Sequence, residues 1–375
     1  MEERVIRDSR LRFGEALPSP RELLHLHPHA AAHHPALRLG LSAVVPVVAL
    51  ELLGEVTLAP FAILGAVVAV FARRASPWAR LHTQVLVAIV QVGLIVVATA
   101  LAASSPMPFE IVVWTAVVAG ASALLADAMG WSPPGNLFFV FSFGACASLP
   151  HQAALPLSAA MVAGASAAWT LVVSALWAAF ERSSAVGLAA PTAGLAAHPR
   201  RWLLSGTHAA MCLVACASAG GAALLLGFDR PYWAMVAAIV PIVGTTTSGQ
   251  LLRAGHRVVG TIAGVVVAGA VFWFAPPRPL IALILVALTV GTELFVARNY
   301  SIALLFLTPV TIGIAFVSGT PALLPLLFTR TAETLLGVAV SIALILASHP
   351  VRHPLRASSH RHDEQLRRPP SASSS

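Results

Sequence analysis

From about residue 36 to residue 347 the chain alternates long apolar stretches with short polar turns. Segments near 36–53, 57–72, 82–103, 109–127, 135–150 and 156–180 are apolar enough to be membrane helices in the first half. In the second half they fall near 205–227, 231–249, 257–275, 279–296, 299–317 and 321–347. A helix needs roughly 20 apolar residues to cross the hydrocarbon layer. Spans two and five are short by that measure, which leaves the count between ten and twelve. The pattern predicts an all-α, polytopic membrane helix bundle.

The pattern also repeats. Gly54-Glu55 and Gly227-Phe228-Asp229 each close the first span of their half with an acid. Pro60-Phe61 and Pro231-Tyr232-Trp233 open the second, and Arg80-Leu81-His82 and Arg253-Ala254-Gly255-His256 precede the third. Asn136 and Asn299 open the fifth. Six spans is an even number, so two such halves are expected as parallel repeats about an axis along the membrane normal. The organisation predicted is a disordered tail over 1–35, a first repeat over 36–181 and a linker over 182–204. A second repeat over 205–347 and a disordered tail over 348–375 complete it.

Composition agrees with the pattern. Of the 375 residues, 58% are hydrophobic and 10% charged, against about a quarter charged in a soluble domain. The net charge is +8, and all 23 basic residues are Arg. In a soluble protein that excess would suggest nucleic acid; here its distribution gives a different meaning. With the N-terminus cytoplasmic, every Arg except Arg230, Arg278 and Arg330 falls in an inside segment. This bias sets orientation, so both termini are expected on the cytoplasmic side of the plasma (bacterial inner) membrane, with no nucleic-acid partner.

Candidate chemistry is sparse. Cys146, Cys212 and Cys216 lie in apolar stretches and read as packing residues. The N-terminal histidines His25, His27, His29, His33 and His34 lack a nearby carboxylate, and no metal or other cofactor is expected. No phosphate-binding Gly-Lys loop, HExxH or GxSxG pattern occurs, so the chain is expected not to be an enzyme. Breaks in spans draw attention instead, because freed backbone is tolerated where protein or water shields it from lipid. Such breaks are Pro133-Pro134-Gly135-Asn136, Thr308-Pro309, and the stretch from Pro231-Tyr232-Trp233 to Pro241 and Thr245-Thr246-Thr247. Arg253, His256 and Arg257 stand where span nine enters the bilayer. They offer either a cationic mouth for anions or simple anchoring. Gly260 and Gly264 form a GxxxG face suited to close helix packing. Arg330 and Glu333 lie at i,i+3 in span twelve, a spacing at which they could pair on one helix face. Counting back from Ser348 puts Arg330 roughly 27 Å up, near the outer edge. Glu293, Glu51, Glu55 and Glu110 are expected to be solvated at span ends.

Pro231-Tyr232-Trp233-Ala234 followed by Arg253-Ala254-Gly255-His256-Arg257-Val258-Val259-Gly260-Thr261 resembles the fusaric acid resistance protein-like family of membrane transporters. Arg298-Asn299-Tyr300, Thr308-Pro309 and Arg330-Thr331-Ala332-Glu333-Thr334-Leu335-Leu336-Gly337 fit the same order. The first half is similar only through its span plan and Phe138-Phe139. The resemblance implies efflux of aromatic or other organic acids driven by ion gradients, while related plant members are anion channels. Larger members carry a sizeable cytoplasmic domain between their halves, where this chain has only residues 181–204. The expectation is a secondary transporter or exporter of small organic anions. Its substrate path comprises Tyr232, Trp233, Arg253, His256, Arg257, Thr308, Arg330 and Glu333, with the lipid bilayer and the anion as partners. A passive anion channel and a non-transporting scaffold remain the alternatives, and a homo-oligomer is left open.

Overall fold

The computed structural model describes residue 22 and residues 25–26, 33–73, 75–131, 135–150, 152, 155–181, 199–244, 246–317 and 322–367. Within them lie twelve α-helices and no strand. The first six are α1 (His33–Leu52), α2 (Ala59–Ala66, with 3₁₀ turns Val56–Leu58 and Val67–Val70 at its ends), α3 (Pro77–Ala103), α4 (Pro108–Met129), α5 (Leu137–Ala147) and α6 (Leu155–Glu181). The second six are α7 (Pro199–Leu225), α8 (Tyr232–Ile242), α9 (Thr247–Phe272), α10 (Arg278–Val296), α11 (Tyr300–Val317) and α12 (Leu323–Arg367). They follow the twelve predicted spans one for one.

Eight of these helices are long and apolar enough to cross a membrane. The four shorter segments are the second and fifth of each half: Val56–Val70, Leu137–Ala147, Tyr232–Ile242 and Tyr300–Phe316. A helix too short to span leaves free carbonyl and N–H groups at bilayer depth, which is tolerable only inside protein. Accordingly every residue of α2 and of α8 is buried. The long helices surround these short ones.

Polar side chains from the surrounding helices take up the freed backbone groups. Gln84 Nε2 on α3 donates to the carbonyls of Ala69 (3.4 Å) and Phe71 (3.3 Å), and Arg38 Nη2 donates to Ala69 (3.4 Å). Gln91 Nε2 donates to the Leu64 carbonyl at 3.1 Å and to Ser142 Oγ at 2.6 Å, tying α2 to α5. Ser166 Oγ donates to Ala62 at 2.6 Å. At the end of α8, Gln250 Nε2 donates to Ile242 at 3.0 Å.

One pairing rule serves both halves. The third helix packs on the sixth (α3 on α6, α9 on α12), the second on the sixth (α2 on α6, α8 on α12) and the third on the fifth (α3 on α5, α9 on α11). Across the halves, α7 packs on α4 and α1 on α10, so each half's first helix meets the other's fourth. That reciprocity is the arrangement of two parallel repeats around a shared axis. Close approach within the second half relies on Gly260 and Gly264: a Cβ there would stand 2.6 Å from the Ser301 carbonyl oxygen and 2.5 Å from that of Leu304.

Two boundaries differ from the sequence reading. The linker is shorter, because α7 begins at Pro199, and residues 182–198 lie outside the described residues, as do Pro133, Pro134 and Thr245. The tail expected to lack structure from residue 348 is helical as far as Arg367, in a single 45-residue α12. A helix already nucleated by packing adds residues without paying the nucleation cost again.

Candidate functional site

The four short helices converge on a cavity of about 60 Å³ between the two halves. Ile63, Leu64, Val67 and Val70 reach it from the α2 segment, and Phe138 and Phe141 from α5. Val236 of α8 and Leu307, Val310, Thr311 and Ile314 of α11 line it from the other half. Into this largely apolar space project Arg257 of α9 and Arg330 of α12, with Thr289, Thr292 and Glu293 of α10.

Both arginines are buried, each only 1% exposed. Arg257 Nη1 donates to the Tyr300 hydroxyl at 3.0 Å, while its Nε has no hydrogen-bond partner. The Arg330 guanidinium lies over the Trp233 ring, 5.1 Å from its centroid, and its Nε and Nη1 have no partner. Stacking on a ring compensates part of the desolvation of a cation, worth about 2 kcal/mol when water is excluded. It satisfies no N–H. Breaking a buried ion pair costs about 3–5 kcal/mol, which sets the scale for what a hydrogen-bonding anion would gain at these unsatisfied guanidinium donors.

Glu333 acts on Arg330 only through space and satisfies none of its N–H groups. Although three residues from Arg330 on one helix, its Oε2 accepts from the Ala234 N–H of α8 at 3.2 Å, and Oε1 has no hydrogen-bond partner. The direct Arg330–Glu333 pair that the spacing allows is therefore not formed. Its physical cause is the start of α8 at Tyr232, whose first-turn N–H groups lack intrahelical acceptors. A carboxylate there also faces the positive end of the helix dipole. Glu333 thus caps α8 from a neighbouring helix and fixes Trp233 beneath Arg330. Nor does Arg330 reach for the outer surface; it points into the cavity.

Glu293 corrects a second expectation. It is 4% exposed and lines the cavity, with Oε1 3.0 Å from Arg73 Nε. That contact is Coulombic without being a hydrogen bond, because the Arg73 Nε–H is directed at the Val70 carbonyl, 3.1 Å away. Gly40 permits the approach: a Cβ there would stand 2.8 Å from Val290 Cγ2, so α10 lies tight against α1.

The remaining predicted residues surround the site or lie apart from it. Tyr232 is buried in a ring cluster, 5.8 Å from Trp233 and 6.3 Å from Phe141. Thr308 is fully buried where α11 meets Gly264. The His256 carbonyl accepts from Ser301 Oγ at 3.4 Å, and its side chain does not line the cavity. Arg253 is exposed. Glu293, Thr289 and Thr292 were missed by sequence reasoning; their only signal was a Thr-x-x-Thr-Glu run closing span ten, a place where an acid is ordinarily solvated. The three threonine hydroxyls at the cavity, Thr289, Thr292 and Thr311, each donate to a carbonyl of their own helix at 2.7–2.9 Å. Their oxygens remain acceptors, so the free donors at the site belong to the two arginines.

A helical bundle of this kind, with discontinuous helices meeting at a cationic cavity between repeats, defines a polytopic membrane protein of transporter-like build. Residues 216–344 match the fusaric acid resistance protein-like family, and most of the site's charged residues fall inside that match. A stretch of 86 residues is 42% identical to an uncharacterised membrane protein, YvaC, of Bacillus subtilis (strain 168). It covers 23% of this chain and 14% of that relative's length. No solved structure matches the chain.

Proposed function

We propose that the protein is a secondary transporter exporting small organic anions across the plasma membrane, with both termini in the cytoplasm. The observation that carries this reading is a pair of buried, incompletely hydrogen-bonded guanidiniums facing one cavity between the halves. Intramembrane cations persist where they meet a partner or a substrate. Here an arriving anion would supply the missing acceptors, while the apolar lining from Phe138, Phe141 and Leu307, Val310 and Ile314 of α11 suits an organic body.

Cavity size favours a carrier over an open channel. About 60 Å³ holds a few waters, each needing roughly 10–15 Å³, whereas sites for organic ligands usually exceed about 300 Å³. The halves must part to admit a substrate, which is the rocking motion that repeated transporters use. Uptake of labelled benzoate into inverted vesicles tests the proposal. Uptake should depend on the protein and fall at least about tenfold in Arg257→Ala and Arg330→Ala, since each removes a charge contact worth about 1.5–3 kcal/mol. Unaltered uptake in both variants would remove these residues from the mechanism. Currents far above carrier turnover and insensitive to a proton gradient would favour a channel instead.

A further inference from the structure

Resting on that reading, we propose that Glu293 is a built-in stand-in for the transported anion: its carboxylate occupies Arg73, and an entering anion takes its place. Arg73 thereby becomes a third anion-binding subsite, beyond Arg257 and Arg330.

Three features carry this. Glu293 belongs to the second half and Arg73 to the turn after α2 in the first, so their 3.0 Å contact bridges the parts that must separate. The carboxylate lines the same cavity as the two unsatisfied arginines. Arg73 itself does not line the cavity, so a transported carboxylate of the same chemistry would meet it by taking the place that Glu293 holds. Finally, the contact is made to be exchanged. Arg73 Nε–H is already committed to the Val70 carbonyl and Glu293 Oε1 accepts no hydrogen bond, so this contact is one of charge, to which the nearby Arg38 adds. An attraction without directional bonds can pass from one carboxylate to another without a hydrogen bond being broken first.

The backbone beside the pair supports movement there. Val70 ends the 3₁₀ turn that follows α2, Phe71 is extended, and Ala72 has φ +54°. A non-glycine residue in the left-handed region costs about 1 kcal/mol or more, so the turn bearing Arg73 is strained. A structural ion pair alone would require neither a cavity face nor a strained turn.

The test places a cysteine at Thr289, one helical turn before Glu293 on the cavity lining. Its modification by the anionic reagent sulfonatoethyl methanethiosulfonate is compared with that by the cationic trimethylammonium analogue, on the full chain in vesicles. The native Cys146, Cys212 and Cys216 are buried and set the background. With Glu293→Gln, the anionic reagent should react about tenfold faster and the cationic one should not, as expected for removing a negative charge within one helical turn at low dielectric. With Arg73→Gln, Glu293 keeps its charge and loses its partner, so the anionic rate should stay at or below that of the parent. Equal acceleration of both reagents in both variants would make the pair a steric latch and overturn the inference, as would unchanged rates in both. A variant that fails to fold leaves the other decisive, because a steric latch accelerates the cationic reagent in Glu293→Gln and the anionic one in Arg73→Gln, and the inference predicts neither. The transport reading stands or falls separately, on benzoate uptake in the Arg257 and Arg330 variants.

Discussion

Charged residues in this protein are read correctly only by what they touch. Arg330 and Glu333 are three apart on α12, a spacing that allows a pair, yet one stacks on Trp233 and the other caps α8. Sequence spacing reports which helix face a residue shares; it does not report that a broken helix across the interface presents N–H groups in need of an acceptor. Removing the cap should therefore be felt on α8 as well as on charge. We expect Glu333→Ala to cost about 1–3 kcal/mol, the desolvation penalty of a buried donor left unsatisfied, measured as loss of stability in a denaturant titration of the purified protein. Glu333→Gln, which keeps an acceptor oxygen, should recover most of it. Glu293 escaped the sequence reading for a related reason: an acid at the end of a span is ordinarily solvated, and only the fold places it against the cavity and Arg73.

At the scale of elements, the order and kind of the helices were legible. Runs of apolar residues near bilayer length gave eight of the twelve, and Pro and Gly marked the rest as interrupted. Those marks fall on the second and fifth elements of the halves; what the pattern did not show is that these four gather at the centre. Their burial depends on donors lying far away in the chain, of which Gln91 is the clearest. Gln91→Leu should remove bonds to Leu64 and to Ser142. Interhelical hydrogen bonds in membranes average about 0.6 kcal/mol with a maximum near 1.7, so a loss of about 1–2 kcal/mol is expected in the same titration. Packing sets a similar limit. Gly264→Ala would bring a Cβ to 2.5 Å from the Leu304 carbonyl oxygen and 2.7 Å from Thr308 Cβ. Overpacking of this kind costs about 1–3 kcal/mol, and Gly93→Ala, with open space at its Cβ, is the matched control.

For the whole molecule, the repeated pairing rule places both sets of short helices around one cavity, yet the two halves are chemically unequal. In the first, glutamines and serine on the surrounding helices tie up the broken backbone of α2. In the second, Arg257 and Arg330 face the cavity with donors to spare. On the proposed reading, the second half supplies the two cavity-lining guanidiniums and the first half most of the backbone-capping side chains. Orientation belongs to this scale too. Arg clustering on one side predicts both termini inside, and a reporter active in the cytoplasm should work at either end, while one active only outside should fail at both. The central claim is that the cavity binds the transported anion through Arg257 and Arg330. Its most direct test is counterflow of labelled benzoate in proteoliposomes holding the wild type, Arg257→Gln, Arg330→Gln or the double variant. The account predicts protein-dependent exchange, reduced at least about tenfold by either single change and abolished by both. Exchange that persists at the wild-type rate in the double variant would contradict it.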